Sequence, residues 1–84
     1  MIVKLNQKLK ELLIEVVAKH RPEMQRLITS ETFEVSDSEL DELFDIVGNE
    51  FMETGLEKND EPNERGLRLE DLIGRLSKKL NGAA

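Results

Sequence analysis

The 84-residue sequence contains no cysteine, tyrosine or tryptophan, and only three phenylalanines and one histidine. Without cysteine, the chain can form neither disulfide bonds nor thiolate metal sites, and this absence favours a reducing, intracellular setting. Without tyrosine and tryptophan, it lacks the usual anchors of tight protein interfaces and of base stacking on nucleic acids. Any binding surface must therefore use aliphatic side chains, phenylalanine, methionine or charge.

Long apolar runs are missing as well. No stretch approaches the roughly 20 apolar residues that span a bilayer. Near the N-terminus, Lys4, Lys8 and Lys10 interrupt the apolar residues, and this pattern does not match the continuous apolar segment of a signal peptide. We therefore expect a cytoplasmic protein with no membrane partner.

The length predicts a single helical domain over residues 1–84. A chain this short builds a core that contributes only about 3–5 kcal/mol of stability. Dimerisation would relieve that limit, so a homodimer is compatible with the sequence.

Apolar residues recur at three- and four-residue spacing in four segments, which predicts an all-α fold. We expect a small bundle of three main helices and one short helix, at about 3–20, 22–29, 37–54 and 67–80. Pro22 separates the first two, because the residue before a proline avoids the α-helical region. Residues 32–35 alternate polar and apolar side chains but are too few to predict a sheet, so we expect an extended connector.

The third helix has the best-marked ends. Ser36 and Glu39 form the S-x-x-E pattern of a capping box. Val35 and Leu40 flank the cap at the positions of a hydrophobic staple. Gly55 follows Thr54, and a left-handed conformation there, with Leu56 folding back, would end the helix.

The last helix carries an apolar stripe and is expected to stop at residues 81–82, an Asn-Gly pair. The stripe consists of Leu69, Leu72, Ile73, Leu76 and Leu80.

Catalytic groups are scarce. Nucleophilic catalysis needs a nucleophile with a base beside it, and no hydroxyl residue has a spacing that pairs it with His20. The many carboxylates lie on polar helix faces, where they should stay ionised rather than act as general acids. We therefore predict a protein that is not an enzyme and needs no cofactor.

Metal-binding patterns are absent too. His20 has no second histidine as a co-ligand, and its place near a predicted helix end favours an interaction with the helix dipole. Aligning Gly66 with the glycine of an EF-hand loop puts Arg65 at a ligand position and Leu72 in place of the bidentate glutamate. No metal site is predicted.

Charge is strongly segregated along the chain. Thirteen of the 18 acidic residues lie in residues 31–64, where Lys58 is the single basic residue, so this stretch has a formal charge of −12. The segments before and after it each carry +3. Segregated charge creates a directional field that steers partners of the opposite sign.

The sequence therefore predicts a non-catalytic, acidic helical protein that binds and regulates a protein partner, and its charge favours a basic partner. Adaptors, inhibitors and immunity- or antitoxin-like neutralisers all fit this description. The expected partner-binding acidic face comprises Glu42, Asp45, Glu50, Glu53, Glu57 and Asp60.

Two alternatives remain open at this point. A structural homo-oligomer could use Ile14, Ile46 and Met52, which lie beside the main apolar stripes, as a dimer or partner contact. A nucleic-acid-binding regulator could use the basic face of the last helix. The net charge of −6 and the lack of aromatic residues among those basic residues disfavour nucleic acid.

Overall fold

The computed structural model describes residues 1–82, with the helical backbone alone for residues 78–82. No helix in this part of the chain combines the length and apolar character needed to cross a bilayer. The fold is mostly helical, as predicted, with one small sheet that was not predicted. Its elements are β1 (Ile2–Lys4), α1 (Gln7–His20), a 3₁₀ helix (Pro22–Leu27), β2 (Thr32–Glu34), α2 (Asp37–Thr54) and α3 (Glu64–Gly82).

The sheet corrects two predictions. β1 pairs antiparallel with β2, with Val3 opposite Phe33, so the first helix does not begin near residue 3 and residues 32–35 are not an unpaired connector. Val3 and Phe33 are both buried, and their neighbours along each strand are exposed. Two strands about thirty residues apart stabilise each other, which local periodicity cannot detect.

α1 begins at Gln7 because Asn6 caps it. The Asn6 side chain accepts a hydrogen bond from the Leu9 amide at 2.8 Å, which satisfies one of the free donors of the first turn. The predicted break at Pro22 is present, but the short helix is a 3₁₀ helix that ends at Leu27 rather than residue 29.

α2 has the predicted bounds and cap. The Ser36 hydroxyl accepts from the Glu39 amide at 3.1 Å, and the Glu39 carboxylate accepts from the Ser36 amide at 2.8 Å. The left-handed conformation predicted for Gly55 is wrong, because its φ is −94°. Glycine is required there for space, since a Cβ would lie 2.7 Å from the Phe51 carbonyl oxygen.

α3 begins three residues earlier than predicted and continues through Gly82 instead of ending at residue 80. The Asn63 side chain accepts from the Gly66 amide at 2.7 Å and so caps the first turn. Leu69, Leu72 and Leu76 are buried, as the stripe predicts. The predicted contribution of Leu80 lies outside the described side chains.

The core lies between the three α-helices and one face of the sheet, with α2 and α3 forming the most extensive helix pair. The end of α2 and the start of α3 are in direct backbone contact, because Gly66 packs on the backbone of Gly55. The most completely buried apolar side chains are Leu13, Val16, Val17, Leu43, Val47, Leu69 and Leu72.

The glycine contact generates a prediction. A Cβ at residue 66 would overlap the Gly55 carbonyl group, so Gly66→Ala should force α2 and α3 apart and destabilise the fold by about 1–3 kcal/mol. A Cβ at Gly74, also within α3, meets nothing within 4 Å. Gly74→Ala should therefore stabilise the fold by about 0.5–1 kcal/mol. Denaturant unfolding of both variants measures the two changes in the free energy of unfolding. Equal changes for Gly66→Ala and Gly74→Ala would contradict the close contact between Gly55 and Gly66.

Candidate functional site

The outward side of α2 carries a line of four residues at helical spacing, Asp41, Asp45, Gly48 and Met52. The two acids are exposed, and the Met52 side chain is 68% exposed. Gly48 is half-buried, and a Cβ there would meet nothing within 4 Å, so the space beside it is open. We call the exposed surface formed by Asp41, Glu42, Asp45, Gly48, Asn49, Met52 and Glu53 the outer face of α2.

Most of the charge on this face is not neutralised within the described residues. Asp41 and Asp45 have no basic group within ion-pair distance there. Glu42 lies 3.6 Å from Arg21, and Glu53 lies 3.6 Å from His20, which is a charged partner only when protonated. Such long, exposed pairs contribute little, so the outer face keeps a negative potential.

The loop that follows α2 extends this acidic region along the chain. Glu57, Asp60 and Glu61 are exposed and form no ion pair with any described residue. The Leu56–Pro62 bridge and the bond from the Glu57 amide to the Glu61 carbonyl at 2.7 Å close the loop. Asp60 has a φ of 66°, a left-handed conformation that aspartate tolerates in tight turns.

The C-terminal end of α2 adds to the negative potential. The last turn of this helix contains no basic residue, although the partial negative charge of a helix C-terminus favours one there. The exposed Glu53 lies at this end instead.

Glu50 does not lie on the exposed face to which the sequence assigned it. It is 1% exposed, and four side chains donate to its carboxylate. Lys19 Nζ and His20 Nε2 reach Oε1 at 3.0 and 2.8 Å. Thr54 Oγ1 and Arg65 Nη2 reach Oε2 at 2.8 and 3.0 Å. We call these five residues the Glu50 cluster.

The balance within the Glu50 cluster keeps the carboxylate ionised. Burial is the largest single influence and raises the pKa of Glu50. The hydrogen bonds from His20, Lys19, Thr54 and Arg65 outweigh it together, and they lower the pKa from 4.5 to about 2. His20 thus contacts a buried carboxylate, rather than only the helix end that the sequence suggested.

The Glu50 cluster also brings together the ligand atoms of His20, Glu50 and Glu53 within 4.8 Å of one another. A cation there would have to displace Lys19 from Oε1. It would also add positive charge beside Arg65, whose guanidinium occupies the other carboxylate oxygen. This donor set therefore fits an internal ion-pair network better than a metal site.

The predicted apolar contact residues separate in the structure. Ile46 is 6% exposed and belongs to the core, so it cannot reach a partner as predicted. Ile14 is partly buried and packs against the core. Met52 alone of the three is largely exposed, and it lies on the outer face of α2.

One sequence signal could have identified the buried acid. Glu50 follows Leu43 by seven residues and Val47 by three, so it continues the apolar stripe of α2. A carboxylate at such a position needs cationic donors. The sequence did not reveal that Lys19 and Arg65 would supply them, because they lie 31 and 15 residues away.

Comparison with known proteins adds no functional information. No family model matches the chain, and no similar curated protein or solved structure was found. Its function must be inferred from its own geometry.

The Glu50 cluster predicts a pH-dependent stability. Above about pH 4.5, the carboxyl is ionised in both the folded and unfolded states, and its contribution is complete. As the pH falls from 4.5 towards 2, the unfolded chain binds a proton that the folded chain does not, so this contribution is lost. The free energy of unfolding, measured by denaturation across this window, should fall more steeply for the wild type than for Glu50→Gln.

At neutral pH, Glu50→Gln should destabilise the fold by about 2 kcal/mol, because Lys19 and Arg65 lose their charged partner. Both cations are partly exposed and can turn towards water, which limits the cost. Asp45→Asn, an exposed acid without an ion pair among the described residues, is the matched control and should change stability by less than about 0.5 kcal/mol. Equal effects of the two variants would show that the cluster does not support the fold.

Proposed function

We propose that this protein is a non-catalytic binding module of the cytoplasm, and that the outer face of α2 recognises a basic surface on a protein partner. The observation that carries the proposal is the uncompensated charge of this face. Asp41 and Asp45 project from a rigid helix and have no ion pair with the described residues. A fixed negative patch attracts a basic partner and raises the rate of association.

The centre of the outer face supplies apolar contact and room for a partner to approach, which charge alone does not provide. Met52 offers an exposed apolar side chain, and methionine adapts its shape to different partners. Gly48, one turn earlier, has no side chain and open space at its Cβ position, which lets a partner approach the helix closely. An apolar centre within a charged rim is the usual anatomy of a protein interface. An adaptor, an inhibitor or an immunity- or antitoxin-like neutraliser of a basic protein would all use such a surface.

The two alternatives receive less support. A homo-oligomer through Ile14, Ile46 and Met52 loses most of its surface, because Ile46 is in the core and Ile14 is partly buried. On α3, Arg68 and Arg75 each lie near an acid one turn earlier, at 3.5 and 3.6 Å. These pairs leave less free positive charge for the phosphates of a nucleic acid.

Charge reversal on the outer face tests the proposal. Wild type, Asp41→Lys/Asp45→Lys and the control Glu11→Lys/Glu70→Lys would each be immobilised and exposed to a native extract at low and high salt. The control changes the net charge equally but alters exposed acids on α1 and α3. We expect wild type and control to capture the same basic protein, and the α2 variant to bind it at least about tenfold more weakly. Salt should weaken the capture.

Equal weakening by both variants would indicate attraction to net charge alone and would refute a specific role for α2. Met52→Ala provides an independent check, since it removes apolar contact without changing charge. It should lower the affinity for the captured protein while leaving the salt dependence unchanged.

A further inference from the structure

The N-terminal strand β1 has one paired edge and one free edge. The Val35 amide donates to the Met1 carbonyl at 2.8 Å, and the Leu5 amide donates to the Glu31 carbonyl at 2.7 Å. In an antiparallel ladder, such bonds recur at every second residue. The backbone groups of Ile2 and Lys4 therefore point away from β2. Nothing in the described part of the chain bonds to their two N–H and two C=O groups.

The opposite edge of the sheet is partly closed. The Ser30 hydroxyl accepts from the Thr32 amide at 3.3 Å and donates to the Thr32 carbonyl at 2.6 Å. One side chain thus occupies both outward-facing groups of that residue. On the β2 edge only Glu34 keeps its outward N–H and C=O groups free of bonds to described residues, whereas β1 offers both Ile2 and Lys4, so β1 presents the longer open edge to an added strand.

A groove of about 300 Å³ runs beside the free edge. Its buried apolar residues are Val3, Leu40 and Leu76. Ile2, which also borders the groove, is 63% exposed. The free edge thus offers backbone hydrogen bonds, and the groove beside it offers a place for an apolar side chain. A peptide that adds to a sheet as an extra strand uses both.

The charges around the groove indicate the kind of occupant. Lys4 borders it and forms no ion pair with a described residue, and Arg75 also borders it, with its guanidinium 3.6 Å from Asp71. A second copy of β1 would bring another lysine to this basic rim, which repulsion disfavours. An acidic segment would be attracted instead.

We infer that the free edge of β1 binds an extended, acidic segment of another protein as a third strand. The backbone of Ile2 and Lys4 exchanges hydrogen bonds with it, one apolar side chain enters the groove, and its carboxylates face Lys4 and Arg75. This site does not depend on the function proposed for α2. It attracts the opposite charge, so one molecule could join an acidic segment to a basic surface.

The test uses the full chain and a capped hexapeptide in which glutamate alternates with valine or leucine. Amide exchange and chemical shifts measured by nuclear magnetic resonance report on each residue. We expect the peptide to slow exchange of the Ile2 and Lys4 amides at least fivefold, without changing the Thr32 amide. The same peptide with lysine in place of glutamate should bind at least fivefold more weakly.

Two variants separate charge from backbone bonding. Lys4→Gln removes the charge, whereas Lys4→Pro also removes an N–H on the free edge and leaves the β1–β2 ladder intact. Lys4→Pro should bind the peptide at least fivefold more weakly than Lys4→Gln, with the Val3 and Leu5 amides still protected. If Lys4→Pro does not fold, a peptide N-methylated on alternate residues tests the same bonds with unaltered protein, and it should lose binding.

Three results would overturn the inference. One is equal binding of the glutamate and lysine peptides, and another is equal binding of the N-methylated and unmodified peptides. The third is protection of the Ile2 and Lys4 amides in the protein alone that rises with its concentration, because a second copy would then occupy the edge.

Discussion

The carboxylate of Glu50 is ionised inside the fold, and this one group requires donors from three helices. Lys19 and His20 reach it from the end of α1, Thr54 from α2 and Arg65 from the start of α3. A buried ion-pair network contributes little net stability compared with an apolar core, but leaving the charge unpaired would be costly. The need to pair the Glu50 carboxylate therefore constrains how the helices pack, because only an arrangement that brings all three helices to this point supplies its donors.

The same requirement divides the acids of α2 into two groups. Glu50 faces inward and takes up the cations of the neighbouring elements, whereas Asp41 and Asp45 face outward and receive none from the described residues. Internal neutralisation thus uses basic groups that could otherwise have covered the outer face. The negative potential of this face follows from how the chain distributes its cations, as well as from its excess of acids.

The two proposed surfaces differ in charge and in the groups they offer. The outer face of α2 presents side chains, with carboxylates around Met52 and Gly48. The free edge of β1 presents backbone groups beside an apolar groove with a basic rim. Each surface lies on an element fixed by the core, since buried residues of α2 and Val3 of β1 pack within it. A small chain without tyrosine or tryptophan can in this way offer two distinct modes of recognition.

Local sequence patterns located the four helical segments to within a few residues, because the signals for a helix lie within a few residues of each other. The cap at Ser36, the apolar spacing of α2 and α3 and the break at Pro22 are all of this kind. The exposure of Asp45 and Met52 also follows from helical periodicity. Tertiary structure decided what depends on residues far apart: the pairing of Val3 with Phe33, the contact of Gly55 with Gly66, and the donors of Glu50. Each of these is a contact between separate segments, and its energy appears only when the folded chain brings those segments together.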